Sequence, residues 1–321
     1  MRRREVLALV VGVAAARQAL AQQPARLRRI GVLSSFAASD LPRYAPMVEA
    51  LRERGYAEGR NLAIEYRFSD GDTALLVRQA AELVRLPADL IVAVATPAGH
   101  AAKEATTAIP IVFTTADPLA SGLVTNLARP GGNLTGVSTI ATDLSGKQLE
   151  LLREALPRAR RIGFLGSSRD VNSGNFRRQY EEAASRLGLA VEPLMVADTA
   201  EFAAAFATAA AANCDAMVVQ PIFVSGRAPI AELAVRHRMP WIGDNSEFAE
   251  AGALFAFGAD RVALWRRTGE QAARVLDGAR PADMPVEQPT RFTLVVNQRA
   301  ARALDVVVPA SLLLRADAVI E

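Results

Sequence analysis

The chain of 321 residues holds one cysteine, Cys214, and two histidines, His100 and His237. A single thiol excludes an intramolecular disulfide framework, a C-x-x-C redox pair and a cysteine-rich zinc site. Two histidines argue against a multi-histidine metal site within one chain, and no metal or cofactor is expected. Long apolar runs are missing beyond the N-terminal segment. The most apolar stretches, 90–95, 109–113 and 216–219, are strand-length and bounded by Pro, Asp or Gly, so no transmembrane segment is expected there.

Positive charge is scarce where a nucleic-acid binder would need it. The formal net charge is +3, but residues 1–21 hold four arginines and one glutamate; the rest of the chain balances at 33 basic and 33 acidic side chains. Nucleic acid is therefore not an expected partner. Catalytic signatures are absent too. The first apolar strand is followed by Ser34-Ser35-Phe36-Ala37, with no glycine for a dinucleotide fold, and Gly146-Lys147 is followed by Gln148, not Ser or Thr. No G-x-S-x-G, H-E-x-x-H or EF-hand spacing occurs. The composition, 51% hydrophobic and 22% charged, is that of a globular chain long enough for two domains.

The N-terminus is built as an address. Arg2-Arg3-Arg4 precede an apolar stretch over 6–16 and then Ala19-Leu20-Ala21, the order of a secretory signal peptide cleaved near Ala21. Arg3-Arg4-Glu5-Val6-Leu7 also resembles a twin-arginine signal, so both export routes stay open. No cysteine follows the small residues, so no lipid anchor is expected. This places the mature chain free in the periplasm. Cys214, after an alanine-rich helix, reads as an inert buried residue.

From residue 29 onward short apolar runs alternate with helical patterns. Strands are expected at 30–33, 62–66, 89–95 and 109–114, with helices at 42–54, 73–85 and 98–106. After a short strand at 134–138 and a helix at 147–155 the alternation restarts. It runs through strands at 161–165, 190–196, 216–220, 241–242 and 254–257 and helices at 175–187, 200–212, 228–238 and 261–276. This pattern predicts α/β architecture: two doubly wound parallel-sheet lobes joined by a hinge. The expected division is a signal peptide over 1–21, a first lobe over 22–143 plus 259–283, and a second over 144–258 plus 284–321. The proline-rich segment of Pro281, Pro285 and Pro289 marks the last crossover.

In such sheets ligands bind at the carboxyl ends of the strands. The small polar residues at those ends are Ser34, Ser35, Thr96, Thr114, Asp117 and Ser138 in the first lobe. Ser167, Gln220, Asp244 and Asn245 are their counterparts in the second. Hydroxyls and amides there can hold a carboxylate, and Asp117 and Asp244 are candidates to receive an ammonium group. The same residue types at strand-to-helix junctions are also ordinary helix caps. Phe36, Phe223, Trp241 and Phe257 lie near strand ends and could stack on an apolar ligand, whereas Phe202 and Phe206, four apart on a helix, read as core.

One stretch is distinctive: Asp117-Pro118-Leu119-Ala120-Ser121-Gly122-Leu123-Val124, continuing through Leu127-Ala128-Arg129-Pro130-Gly131-Gly132-Asn133-Leu134-Thr135-Gly136-Val137-Ser138. With Gly55-Tyr56-Ala57-Glu58-Gly59-Arg60-Asn61 and Ala282-Asp283-Met284-Pro285, it resembles bacterial ABC-transporter substrate-binding proteins of the type I periplasmic-binding fold. The resemblance spans essentially the whole mature chain, with Asp305 where Gly is usual and Phe257 where Tyr is common. It implies a periplasmic solute receptor, not an enzyme, that closes on a small ligand such as an aromatic amino acid or related carboxylate. The resemblance adds the neighbourhood of Asn172 to the second-lobe residues expected to face that ligand. The partners implied are an inner-membrane ABC permease with its ATPase, and the receptor is expected to be monomeric. An exported sensory module and an exported enzyme using cleft carboxylates remain the alternatives.

Overall fold

The computed structural model describes residues 27–321; the expected signal peptide lies outside them. Among the described residues no helix is long and apolar enough to cross a membrane. The strands are β1 (Arg28–Ser34), β2 (Leu62–Phe68), β3 (Leu90–Val94), β4 (Ile111–Thr115), β5 (Leu134–Ser138), β6 (Arg161–Ser167), β7 (Ala190–Val196), β8 (Ala216–Val219), β9 (Trp241–Gly243), β10 (Phe255–Ala259), β11 (Phe292–Asn297) and β12 (Ala318–Ile320). The helices are α1 (Ala45–Glu53), α2 (Thr73–Arg85), α3 (Thr96–Ala105), α4 (Ser145–Ala155), α5 (Ser173–Leu187), α6 (Phe202–Ala211), α7 (Arg227–Arg236), α8 (Ser246–Ala251), α9 (Arg261–Leu276), α10 (Gln298–Ala303) and α11 (Ala310–Arg315). A 3-10 segment, Ala38–Tyr44, precedes α1.

Two sheets form two lobes. The first has the order β2-β1-β3-β4-β5 and is parallel throughout; the second has the order β12-β11-β10-β9-β8-β6-β7. The interior strands β3 and β4 are buried along their whole length, which is why they open as unbroken apolar runs instead of alternating ones; the edge strand β5 is buried as well. Helix starts are fixed by side-chain caps, among them Asp72 on Leu75 N, Asp260 on Ala263 N and Asn297 on Ala300 N.

The sheet of the second lobe departs from the parallel expectation at one place: β11 runs antiparallel to β10. The cause is the route of the chain. After β10 the chain leaves for the first lobe, where α9 packs on α1, β4 and β5. It therefore returns to the second sheet from the cleft side and must run away from the cleft. Helix α9 approaches α1 so closely that a Cβ on Gly269 would lie 2.4 Å from the carbonyl oxygen of Met47.

The chain passes between lobes at 139–144, 259–260 and 288–291. The last passage lies later than the expected boundary at 283/284. Val286 N donates to Leu127 O, Glu287 bridges to Val137, and Met284 and Val286 sit in apolar clusters with first-lobe residues. The prolines at 281, 285 and 289 thus mostly line the first lobe before the crossing.

Candidate functional site

The carboxyl ends of the two sheets face each other, and the lobes touch across the gap. Phe36 from the first lobe and Phe223 from the second belong to one continuous cluster of buried apolar side chains. Beside this seam lies a cavity of about 60 Å3. The first lobe lines it with Ser35, Ser69, Asp70, Leu76 and Pro97, and the second with Ser167, Arg169, Asp170, Asp198, Ile222 and Phe223. A hydrophobic wall with a few convergent polar groups is the usual make-up of a small-molecule site.

Each expected residue has a definite place. Ser35 and Ser167 line the cavity; Ser35 Oγ is buried with no hydrogen-bond partner, as is Ser69 Oγ. Thr96 and Asn172 meet across the lobes, Asn172 Nδ2 donating to Thr96 Oγ1 at 2.9 Å. The strand end that presents Thr96 is strained: Ala95 has φ 72° and ψ 161°, a region natural to glycine.

Other candidates are committed elsewhere. Ser34 Oγ shares a hydrogen bond with the Tyr44 hydroxyl at 2.8 Å and accepts from Phe36 N. Thr114 Oγ1 pairs with Thr268 Oγ1 of α9 at 2.9 Å, inside the first lobe. Gln220 binds within the second lobe, its Oε1 accepting from Ser167 N and Ser173 Oγ and its Nε2 donating to Asp170 at 2.7 Å. Ser138 Oγ donates to Ala116 O, and with Asp117 it borders a separate depression near the hinge, away from the cavity. Asn245 caps α8 through Glu247 N and donates to Asp244 Oδ1 at 2.7 Å.

Asp117 is bound into its own turn and borders the hinge depression, not the cavity. Its Oδ1 accepts from Leu119 N and Ala120 N and its Oδ2 from Thr142 Oγ1, so the carboxylate serves as a turn cap. Asp244 keeps more capacity, since among the described residues Asn245 is the side chain that donates to it. Burial lifts its carboxyl to about 6, against the lowering pull of the Asn245 amide and the Arg43 charge. Phe257 stacks on Phe292 in the second lobe and does not line the cavity.

Asp170 escaped the sequence reading. It is buried under the cavity floor and pushed up to about 6 by burial, in spite of hydrogen bonds from Asn172 N and the Gln220 amide. Its signal was its place just beyond Ser167-Ser168. Ser69 and Asp70 were missed because β2 continues two residues past its expected end at 66.

The chain matches the family model described as ABC transporter substrate binding protein over residues 38–320. It belongs to that family. It is also 30% identical over 261 residues, 80% of this chain and 75% of the other, to a tyrosine-binding protein from Clostridioides difficile. Among solved structures it is similar to an ABC domain in complex with L-Trp from Streptococcus pneumoniae, at TM-score 0.84, 30% identity and coverage of 91% of this chain and 99% of that one. A ligand-free, open structure of an adhesive substrate-binding protein from Clostridium difficile covers the same shares at 29% identity, yet its TM-score is 0.64. The lobes of this ABC substrate-binding protein are in direct contact through Thr96 and Asn172.

Proposed function

We propose that the protein is the periplasmic receptor of an ABC uptake transporter and that it closes on an aromatic amino acid between its lobes. The observation that carries this reading is the shared cavity. It sets the Phe223 ring and the apolar faces of Leu76, Pro97 and Ile222 against unpartnered Ser35 and Ser69 hydroxyls and the carboxylates of Asp70 and Asp170. An aromatic side chain would lie on the apolar wall, the ligand carboxylate would accept from the hydroxyls, and the ammonium would face the acids. Ser167 and Arg169 complete the second-lobe wall. The tyrosine- and tryptophan-binding relatives support the same ligand class. The arginine-rich apolar N-terminus supports export, and the resemblance to uptake receptors supports a permease and ATPase as partners.

Calorimetric titration of the protein lacking residues 1–21 with L-tryptophan, L-tyrosine, L-phenylalanine and 3-phenylpropionate tests the reading. Saturable binding of the amino acids with rejection of 3-phenylpropionate is expected. Equal binding of 3-phenylpropionate would remove the ammonium contact, and no binding by any aromatic amino acid would overturn the ligand class. Loss of labelled amino-acid uptake in cells lacking the protein tests the transporter partnership.

A further inference from the structure

A second set of contacts joins the lobes beside the cavity, meeting its wall at Ser225, and it is largely ionic. Arg43, on the 3-10 segment of the first lobe, donates through Nη2 to Glu247 Oε1 of the second lobe at 2.7 Å. The Arg43 side chain is 4% exposed and its guanidinium lies 4.6 Å over the Phe36 ring. Among the described residues its Nε and Nη1 have no hydrogen-bond partner and Glu247 is the one that hydrogen-bonds this buried cation. Glu247 also faces Arg261 at 3.6 Å, just past the second crossover, and Arg227 at 4.0 Å. Arg227 in turn reaches back to the first lobe, donating to Asp40 Oδ1 at 3.1 Å, and Ser225 Oγ donates to Asp40 Oδ2. The chain of contacts runs from one lobe to the other and back.

We propose that Glu247 is the hub of an ionic latch that holds the lobes together and thereby sets the affinity of the receptor for its ligand. The inference rests on the reading of the cleft as a ligand site only for the affinity; the latch itself is a property of the two lobes. The physics is differential. Parting the lobes returns Arg43, Asp40 and Glu247 to water, where each charge is solvated alone. Removing the Glu247 charge therefore leaves the separated lobes almost unchanged and leaves Arg43 without its hydrogen-bonding carboxylate in the closed arrangement, with the buried Asp244 as the remaining nearby acid. A ligand bound between closed lobes is held by the free energy of closure as well as by its own contacts, so loss of the latch appears mainly as faster release.

The test uses spin labels on Arg78→Cys in the first lobe and Ser185→Cys in the second, both exposed. Cys214 is buried and its thiol is pushed up to about 11, so it takes no label under mild conditions. The ligand-free protein is expected to show a short interlobe distance. Glu247→Gln should deplete that population and raise the dissociation constant for L-tryptophan roughly tenfold, equivalent to about 1.4 kcal/mol. The double variant Arg43→Gln/Glu247→Gln should be no worse than Glu247→Gln, because the two act as a unit. Ser225→Ala, which leaves every charge in place, should give a smaller depletion of the short distance and serves if Glu247→Gln melts early; because Ser225 lines the cavity, only the ligand-free distances are read for this variant.

Identical distance distributions in the wild type, Glu247→Gln and Ser225→Ala would overturn the latch, as would simple additivity of Arg43→Gln and Glu247→Gln. A ligand-free wild type lacking the short distance would overturn it too. If no aromatic amino acid binds while Glu247→Gln still opens the lobes, the ligand class fails and the latch stands. If L-tryptophan binds equally to both proteins with unchanged distances, the receptor stands and the latch fails.

Discussion

Asn172 Nδ2 in the second lobe lies 2.9 Å from Thr96 Oγ1 in the first, and both side chains are buried. The same amide approaches the carbonyl oxygen of Asp117 at 3.4 Å. One side chain from the start of α5 thus bonds the ends of β3 and β4 across the cleft.

Asn172→Ala should weaken ligand binding and leave each lobe folded. A neutral buried hydrogen bond contributes about 1 kcal/mol, so the dissociation constant for L-tryptophan should rise roughly fivefold to tenfold. Titration calorimetry reads the affinity, and a melting temperature within a few degrees of the wild type shows that the fold is retained.

Ala95→Gly should raise stability and lower affinity. Holding a non-glycine residue at φ 72° and ψ 161° costs on the order of 1–3 kcal/mol, against about 0.5–1 kcal/mol for the extra freedom of glycine. The net gain should appear as a higher urea midpoint. Thr96 would then be held less rigidly at the cleft, and ligand release should quicken in stopped-flow measurements. A lower urea midpoint would show that Ala95 carries no strain.

Gly258→Ala should be severely destabilising. Its Cβ would lie 1.7 Å from the carbonyl oxygen of Asp244, and the obstructing atoms are backbone that cannot swing aside. A loss of about 3 kcal/mol or more in urea unfolding is expected, and ligand binding should fall because β9 and β10 meet just before the crossover into α9. A loss under 1 kcal/mol would mean that the two strands part easily.

Stability should depend on pH through the buried aspartates. Burial lifts Asp170 and Asp244 from the ordinary 3.8 to about 6, so between these values the folded chain keeps protons that the unfolded chain has released. Stability contributed in this way falls as pH rises from about 4 to 6 and is lost above 6. Asp244→Asn removes one such group. Its melting temperature should exceed that of the wild type at pH 7.5, and the excess should shrink toward pH 4.5. His100 acts in the opposite sense, because burial holds it below 6.5 and the unfolded chain takes its proton first, but it is common to both proteins and cancels. A difference independent of pH would show that Asp244 is not the titrating group.

Much of the architecture is legible in the residues. The expected strand at 190–196 and helix at 261–276 coincide with β7 and α9; a sixteen-residue amphipathic stripe is a strong local pattern, and the helix end at Leu187-Gly188 delimits the strand that follows. The short α11 and β12 were not foreseen; six and three residues carry too little periodicity to stand out. Asp305, which departs from the usual glycine, adopts φ 56° just beyond α10, so the residue expected there was conformationally reasonable.

The cleft was only partly legible. Asp117 and Asp244 occupy equivalent strand ends in the sequence, yet one is a turn cap accepting three hydrogen bonds and the other is buried with one side-chain donor among the described residues. Thr114 and Thr96 are equally small and polar, but Thr114 turns to Thr268 while Thr96 meets Asn172.

Hydrophobic period and junction chemistry are local, so the sequence by itself determined two α/β lobes, their helix caps and the strand ends where polar groups collect. Partners 76 or 154 residues away decided which of those groups face the cleft, and the route of the chain through the first lobe decided that β11 runs backward. The opposition of Arg43 and Glu247 is of the same kind: charges 204 positions apart, on ordinary surface-like segments, that only the meeting of two lobes brings into contact.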